Sequence, residues 1–159
     1  MGILLMFILP NTPFHPVTQV FHHVVIEAPK VSPSEVPVSQ VSPKVSLSEI
    51  ESDLVQRINE YRLSNNKGIT KTSESTCDIA TTRLAQTEED FSHVQLSSTV
   101  KGHPGYWFEN LARYYTDPQS TLVGWINSPT HKAMLLSKMT AMCVRSNGTY
   151  WVMIGHSDL

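Results

Sequence analysis

Cysteine is nearly absent from this chain of 159 residues: it occurs twice, at Cys77 and Cys143. There is no CxxC pair and no Cys/His spacing of the zinc-finger kind, which excludes a structural zinc site built on thiolates. A basic run or basic face is also missing, and the formal net charge is −2, so nucleic acid is not an expected partner. The apolar opening Met1–Leu9 is far too short to cross a bilayer. It has the character of a secretion-signal h-region, although no Lys or Arg precedes it and no clear A-x-A site follows. The expectation is export, with these residues as the back half of a longer signal or anchor. A frayed apolar tail is the alternative.

What is present is unevenly spread. Hydrophobic residues make up 40% of the chain, but Pro10 to Val45 is rich in Pro, Ser and Val, with near-repeats at Val31-Ser32-Pro33, Val36-Pro37-Val38-Ser39 and Val41-Ser42-Pro43. Proline blocks helix interiors and central strands, so this stretch reads as extended. The chain divides into an N-terminal apolar segment and tail (1–27), a Pro/Ser/Val-rich linker (28–45) and one globular domain (46–159). His15, His22 and His23 fall in the tail, where no other ligand stands at fixed spacing.

Order begins at Ser46, which forms a capping box with Glu49. Ile50, Leu54, Ile58 and Tyr61 follow at helical spacing, with Asp53 and Arg57 paired on the outer face. This helix should stop near Asn65-Asn66-Lys67-Gly68. A second helix is expected from Ser75, with Ile79, Ala80, Leu84 and Phe91 turned inward, ending near Ser92-His93. Val94 to Pro104 reads as a polar loop and Phe108 to Ala112 as a short strand. Asp117-Pro118 caps a third helix with Leu122, Val123 and Ile126 as its apolar face, and a fourth runs from Pro129 to about Leu136. Two alternating runs, Thr140–Arg145 and Thr149–Gly155, flank Asn147-Gly148, a strong hairpin signal. Helices with a small antiparallel sheet make an α+β domain.

The most informative stretch is Gly105 to Leu136. Glu109 lies among Trp107, Phe108 and Leu111, where a carboxylate needs a partner. Ser128 suits an N-cap and Pro129 the first helical position, which sets His131 in the first turn of a helix. The helix dipole there disfavours imidazolium, leaving a neutral ring that can accept a hydrogen bond or ligate a metal. His103 and His156 read as surface residues, and Trp107, Trp125 and Trp151 as core or cleft-wall aromatics.

The order of these pieces resembles the CAP superfamily, or SCP domain, which includes cysteine-rich secretory, antigen 5 and pathogenesis-related proteins. The matching residues are Ile58-Asn59-Glu60-Tyr61-Arg62, Phe91-Ser92-His93, Glu109-Asn110-Leu111-Ala112, Trp125-Ile126-Asn127-Ser128-Pro129-Thr130-His131, and the closing hairpin with Tyr150-Trp151. The Trp-to-His pattern is that of the bacterial branch. The resemblance implies a three-layer α-β-α sandwich of about four helices and a small antiparallel sheet. It also implies a cleft lined by His93, Glu109 and His131, with Ser128 where many animal and plant members carry a second Glu. Phe108 replaces the usual Gly before the acid, which would narrow the cleft or tilt the strand.

His93, His131 and Glu109 are a plausible ligand set for a divalent metal such as Zn²⁺, and a bound metal could activate water. The alternative is a hydrogen-bonded network burying polar groups. Ser128 as a nucleophile is set aside in favour of a cap whose hydroxyl is taken up by the backbone. Three functions stay open: an exported module binding a small molecule, lipid, peptide or glycan; a metal-dependent hydrolase using the same cleft; and an architectural domain on a stalk. The first is favoured, with no catalytic residue assigned and the protein expected to be a monomer at the cell surface or outside the cell. Cys77 and Cys143 are either a disulfide, which fits an oxidising compartment, or two buried thiols. A bridge would close a loop of about 65 residues, worth on the order of 4 kcal/mol by chain entropy.

Overall fold

A computed structural model describes Gln19–Phe21, Ile26–Glu27 and residues 46–158. The apolar opening, the 28–45 linker and His15, His22 and His23 lie outside the described residues. Ser46 caps α1 (Leu47–Ser64): its Oγ accepts from the Glu49 N–H, and the Glu49 carboxylate accepts from the Ser46 N–H at 2.7 Å. The expected capping box is therefore formed. Asp53 and Arg57 pair on the solvent face. Beyond α1, Asn66 takes the left-handed conformation at φ 57, as Asn can after a helix.

Helix α2 (Glu74–Glu89) begins earlier than its Ser75 signal, because Ser73 is the residue whose side chain caps it. The stretch expected to be a polar loop holds a short helix, α3 (Leu96–Thr99), and both Leu96 and Val100 are buried completely there. Their i,i+4 spacing puts both on one face of a turn. Helices α4 (Pro118–Asn127) and α5 (Pro129–Leu135) follow the central strand. Five helices thus stand among the described residues, where about four were expected.

Strands β3 (Tyr106–Arg113), β5 (Tyr150–Ser157) and β4 (Ala141–Ser146) form the antiparallel sheet, with Phe108 opposite Gly155 and Cys143 opposite Ile154. Asn147 and Gly148, at φ 90, turn the closing hairpin. Two short strands were not expected. β1 (Gln19–Phe21) and β2 (Ile26–Glu27) run parallel to β3 on its other side, pairing with Tyr106–Phe108 and with Ala112–Arg113. Among the described residues, the β3 stretch Glu109–Leu111 between them has a ladder partner only in β5.

The alternation of β3 divides the interior. Phe108 and Ala112 face α1, α4 and α5 with Leu54, Ile58 and Trp125, while Trp107 and Leu111 face α2 and α3 with Ile79 and Leu96. This is the α-β-α sandwich. Trp107, Trp125 and Trp151 are core residues at 1%, 0% and 0% exposure. Each indole N–H donates to a backbone carbonyl, that of His103, Leu111 and Tyr115 respectively. A Cβ on Gly155 would come within 3.4 Å of the Phe108 Cβ and 2.6 Å of the Met139 Sδ.

Candidate functional site

Three elements deliver the expected residues. His93 follows α2, Glu109 points from β3 into the α2 layer, and His131 lies in the first turn of α5 on the opposite face. Their exposures are 7%, 0% and 0%. The two imidazole centroids come within 6.5 Å, tilted by 40°. The pair straddles β3 along the stretch left between β1 and β2.

Glu109 is held chiefly by a residue that sequence reasoning did not single out. Arg83, fully buried on α2, donates from Nε to Glu109 Oε1 at 2.6 Å and from Nη2 to Oε2 at 3.3 Å. The same guanidinium donates to the Ser92 carbonyl at 2.7 Å and to Gln86 Oε1 at 2.7 Å. Thr99 on α3 also donates to Gln86 Oε1, at 3.0 Å. A buried charge is tolerated when it is paired and its remaining donors are satisfied, and this one is. A signal existed: Thr76, Ile79, Ala80, Arg83 and Thr87 follow helical spacing, so Arg83 lies on the inward stripe of α2.

His93 Nδ1 lies 2.7 Å from Glu109 Oε2. A carboxylate accepts only, so Nδ1 carries a proton, and in the neutral ring Nε2 is the lone-pair nitrogen. Among the described residues that buried Nε2 has no hydrogen-bond partner, and neither has Asn110 Oδ1. The Asn110 amide N–H donates to the His131 carbonyl at 3.1 Å. It thereby anchors α5 to β3.

Two expectations change here. Ser128 is the N-cap residue of α5, but its hydroxyl does not bond the backbone N–H groups; its Oγ lies 2.8 Å from His131 Nδ1. The imidazole offers a nitrogen one turn along the helix and takes the hydroxyl that the cap would have used. His93, Glu109 and His131 also do not converge as three ligands of one ion. Both Glu109 oxygens are engaged by Arg83 and His93, so the carboxylate stands behind His93 and orients it. Among the described residues no group of three or more His, Cys, Asp and Glu is arranged to hold a metal. His103 is exposed, stacking edge-on to Trp107. His156, expected at the surface, is half-buried and donates from Nε2 to the Pro104 carbonyl.

Cys77 on α2 and Cys143 on β4 form a disulfide with Cα atoms 5.1 Å apart. The open question of bridge or separate thiols is resolved as a bridge. It ties the helix that carries Arg83 to the sheet that carries Glu109.

No family model matches the sequence, and no curated protein matches it. Solved structures do match. A cysteine-rich secretory protein from Staphylococcus aureus subsp. aureus Mu50 superposes with a TM-score of 0.65 at 21% identity over 72% of this chain and 40% of that one. An extracellular SCP-domain protein from Bacillus anthracis str. Ames gives 0.59 at 21% identity, over 76% of this chain and 45% of that one. An outer surface protein of Borrelia burgdorferi gives 0.61 at 15% identity, over 72% of this chain and 97% of that one. The chain thus spans less than half the length of the first two. The fold is that of the SCP domain, as the motif order implied. Among the described residues no helix is long and apolar enough to cross a membrane.

Proposed function

We propose that this is an exported CAP-type binding module, whose ligand is a hydrogen-bond donor or a cation received beside the His93–His131 pair. One observation carries the reading: two buried acceptors, His93 Nε2 and Asn110 Oδ1, have no hydrogen-bond partner among the described residues. Each unsatisfied buried group costs about 1–3 kcal/mol. A group satisfying either must donate a proton or carry positive charge. The Glu109 carboxylate fixes the His93 tautomer so that the lone pair is presented, and Arg83 offsets the negative charge behind it. Export is supported by the disulfide and by structural neighbours described as secretory, extracellular or outer surface proteins.

The hydrolytic alternative is less well supported. It needs a base beside the activated water, and both oxygens of Glu109 are engaged. Glu109, the carboxylate that a Ser128–His131 pair would call on, is bonded to His93 and Arg83 instead.

The test is metal analysis together with mass spectrometry of small molecules released from natively purified full-length protein. A cation or amine-bearing compound present in the parent and lost in His93→Ala is the expected result. Neither metal nor compound, with His93→Ala changing stability alone, would make the cluster purely architectural.

A further inference from the structure

The basic residues, scattered in the sequence, converge away from the histidine cluster. Between the segment that follows α1 and the turn joining α5 to β4 lies a groove of about 790 Å³. Arg62, Lys67, Lys71 and Lys138 line it, and among the described residues no Asp or Glu does. Four of the twelve Lys and Arg residues of a chain with net charge −2 therefore meet on one concave surface. The three lysines are exposed, and none makes an ion pair or side-chain hydrogen bond among the described residues.

Arg62 forms the floor at 2% exposure. Its guanidinium donates to four carbonyls, those of Gly68, Leu135, Ser137 and Met139, and among the described residues to no carboxylate. These bonds hold the two walls together and stop α5, but they leave a buried positive charge with no counter-charge among the described residues. The potential inside the groove is positive from floor to rim, and a concave wall strengthens it.

The rest of the lining chooses among anions. Apolar surface comes from Ile69, which is 60% exposed, and from half-buried Ala141, above buried Met139. Between these stand the hydroxyls of Thr72, Ser73 and Thr140, of which Ser73 Oγ already accepts from the Thr76 N–H as the α2 cap and Thr140 Oγ1 donates to the His156 carbonyl. An acyl chain needs a continuous apolar channel, which this is not. Extended polypeptide uses hydroxyls for its amides, small apolar pockets for alternate side chains and lysines for its carboxylates.

We propose that this groove docks an extended acidic segment of a partner protein, one that alternates carboxylate and aliphatic side chains. The groove is separate from the His93 cluster, so the proposal stands or falls independently of it.

The probe is a short acetylated peptide alternating Glu and Leu, titrated into the full chain by fluorescence anisotropy. Saturable binding is expected, weakening as salt rises from about 0.1 M, where charges are felt over about 10 Å, towards 1 M, where the range is about 3 Å. Joint replacement Lys67→Gln, Lys71→Gln, Lys138→Gln should weaken binding about tenfold or more, from three exposed pairs. These side chains are exposed, so melting should be unchanged in the triple variant. No saturable binding, equal binding by the Gln/Leu peptide, or full affinity in the triple variant would each overturn the proposal. So would binding to vesicles of phosphatidylcholine and phosphatidylglycerol in equal parts with none to the peptide, which would make the groove a membrane contact.

Discussion

Replacing Arg83 by Met keeps much of the side-chain volume and removes the charge. Glu109 is then left fully buried with His93 as its remaining partner, and the Ser92 carbonyl and Gln86 lose their donor. Removing one member of a buried ion pair costs about 3–5 kcal/mol, because the other charge stays desolvated and uncompensated. Both side chains are 0% exposed, so solvent screening does not reduce the figure. Against a total stability of about 5–15 kcal/mol, this is a large share. It should lower Tm by roughly 10–20 °C for a domain of this size.

The informative comparison is the double variant Arg83→Met, Glu109→Gln. With no charge left to bury, at least half of the lost stability should return, even though more groups have been altered. Urea unfolding of the parent, both single variants and the double variant gives the coupling free energy, provided m is unchanged. A coupling of about 2 kcal/mol or more is expected. Arg83→Met costing under about 1 kcal/mol, or a double variant as unstable as the sum of the singles, would refute the account of the cluster as one charge-balanced unit.

Three further outcomes follow from particular contacts. Thiol counting on unreduced, denatured protein should find no free thiol, and Cys77→Ser with Cys143→Ser should cost about 4 kcal/mol, read by denaturant midpoint. Asp117 caps α4, and the Ser120 backbone N–H bonded to its carboxylate holds its pKa below the ordinary 3.8 despite partial burial. A depressed folded pKa stabilises above 3.8 and is lost as pH falls below it. Asp117→Asn, which keeps an acceptor, should therefore flatten that part of the acid melting curve, and Asp117→Ala should cost about 1 kcal/mol at neutral pH. Gly155→Ala forces Met139 aside and should cost about 1–3 kcal/mol by thermal melting, with part recovered by Met139→Ala.

Much of the fold was legible because its signals are local. The Ser46–Glu49 box, the Asp117-Pro118 start and the Asn147-Gly148 turn each depend on residues a few positions apart. The histidine pair was singled out through motif order, and its rings stand with centroids 6.5 Å apart. What escaped depends on groups far apart in sequence. Arg83 and Arg62 lie on inward helical stripes, yet neither stripe says whether a carboxylate or a set of carbonyls will meet the charge. The Ser128 hydroxyl had two partners within reach, the backbone and His131, and sequence cannot weigh the two geometries. β1 and β2 are too short and too irregular in pattern to signal strands; they exist because the β3 edge offers them a ladder.

Those two parallel strands bear on the order in which the protein assembles. Tyr106 must exist before Gln19 has a partner, and everything between must be threaded or held back meanwhile. The β4–β5 hairpin and its pairing with β3 close far shorter loops, so they should form first, with entropy charging less for each contact. β1 and β2, which precede β3 in the chain, would then dock after it. Pulse-labelled hydrogen exchange during refolding should protect the amides of β5 before those of Gln19–Phe21; simultaneous protection would point to a single concerted step.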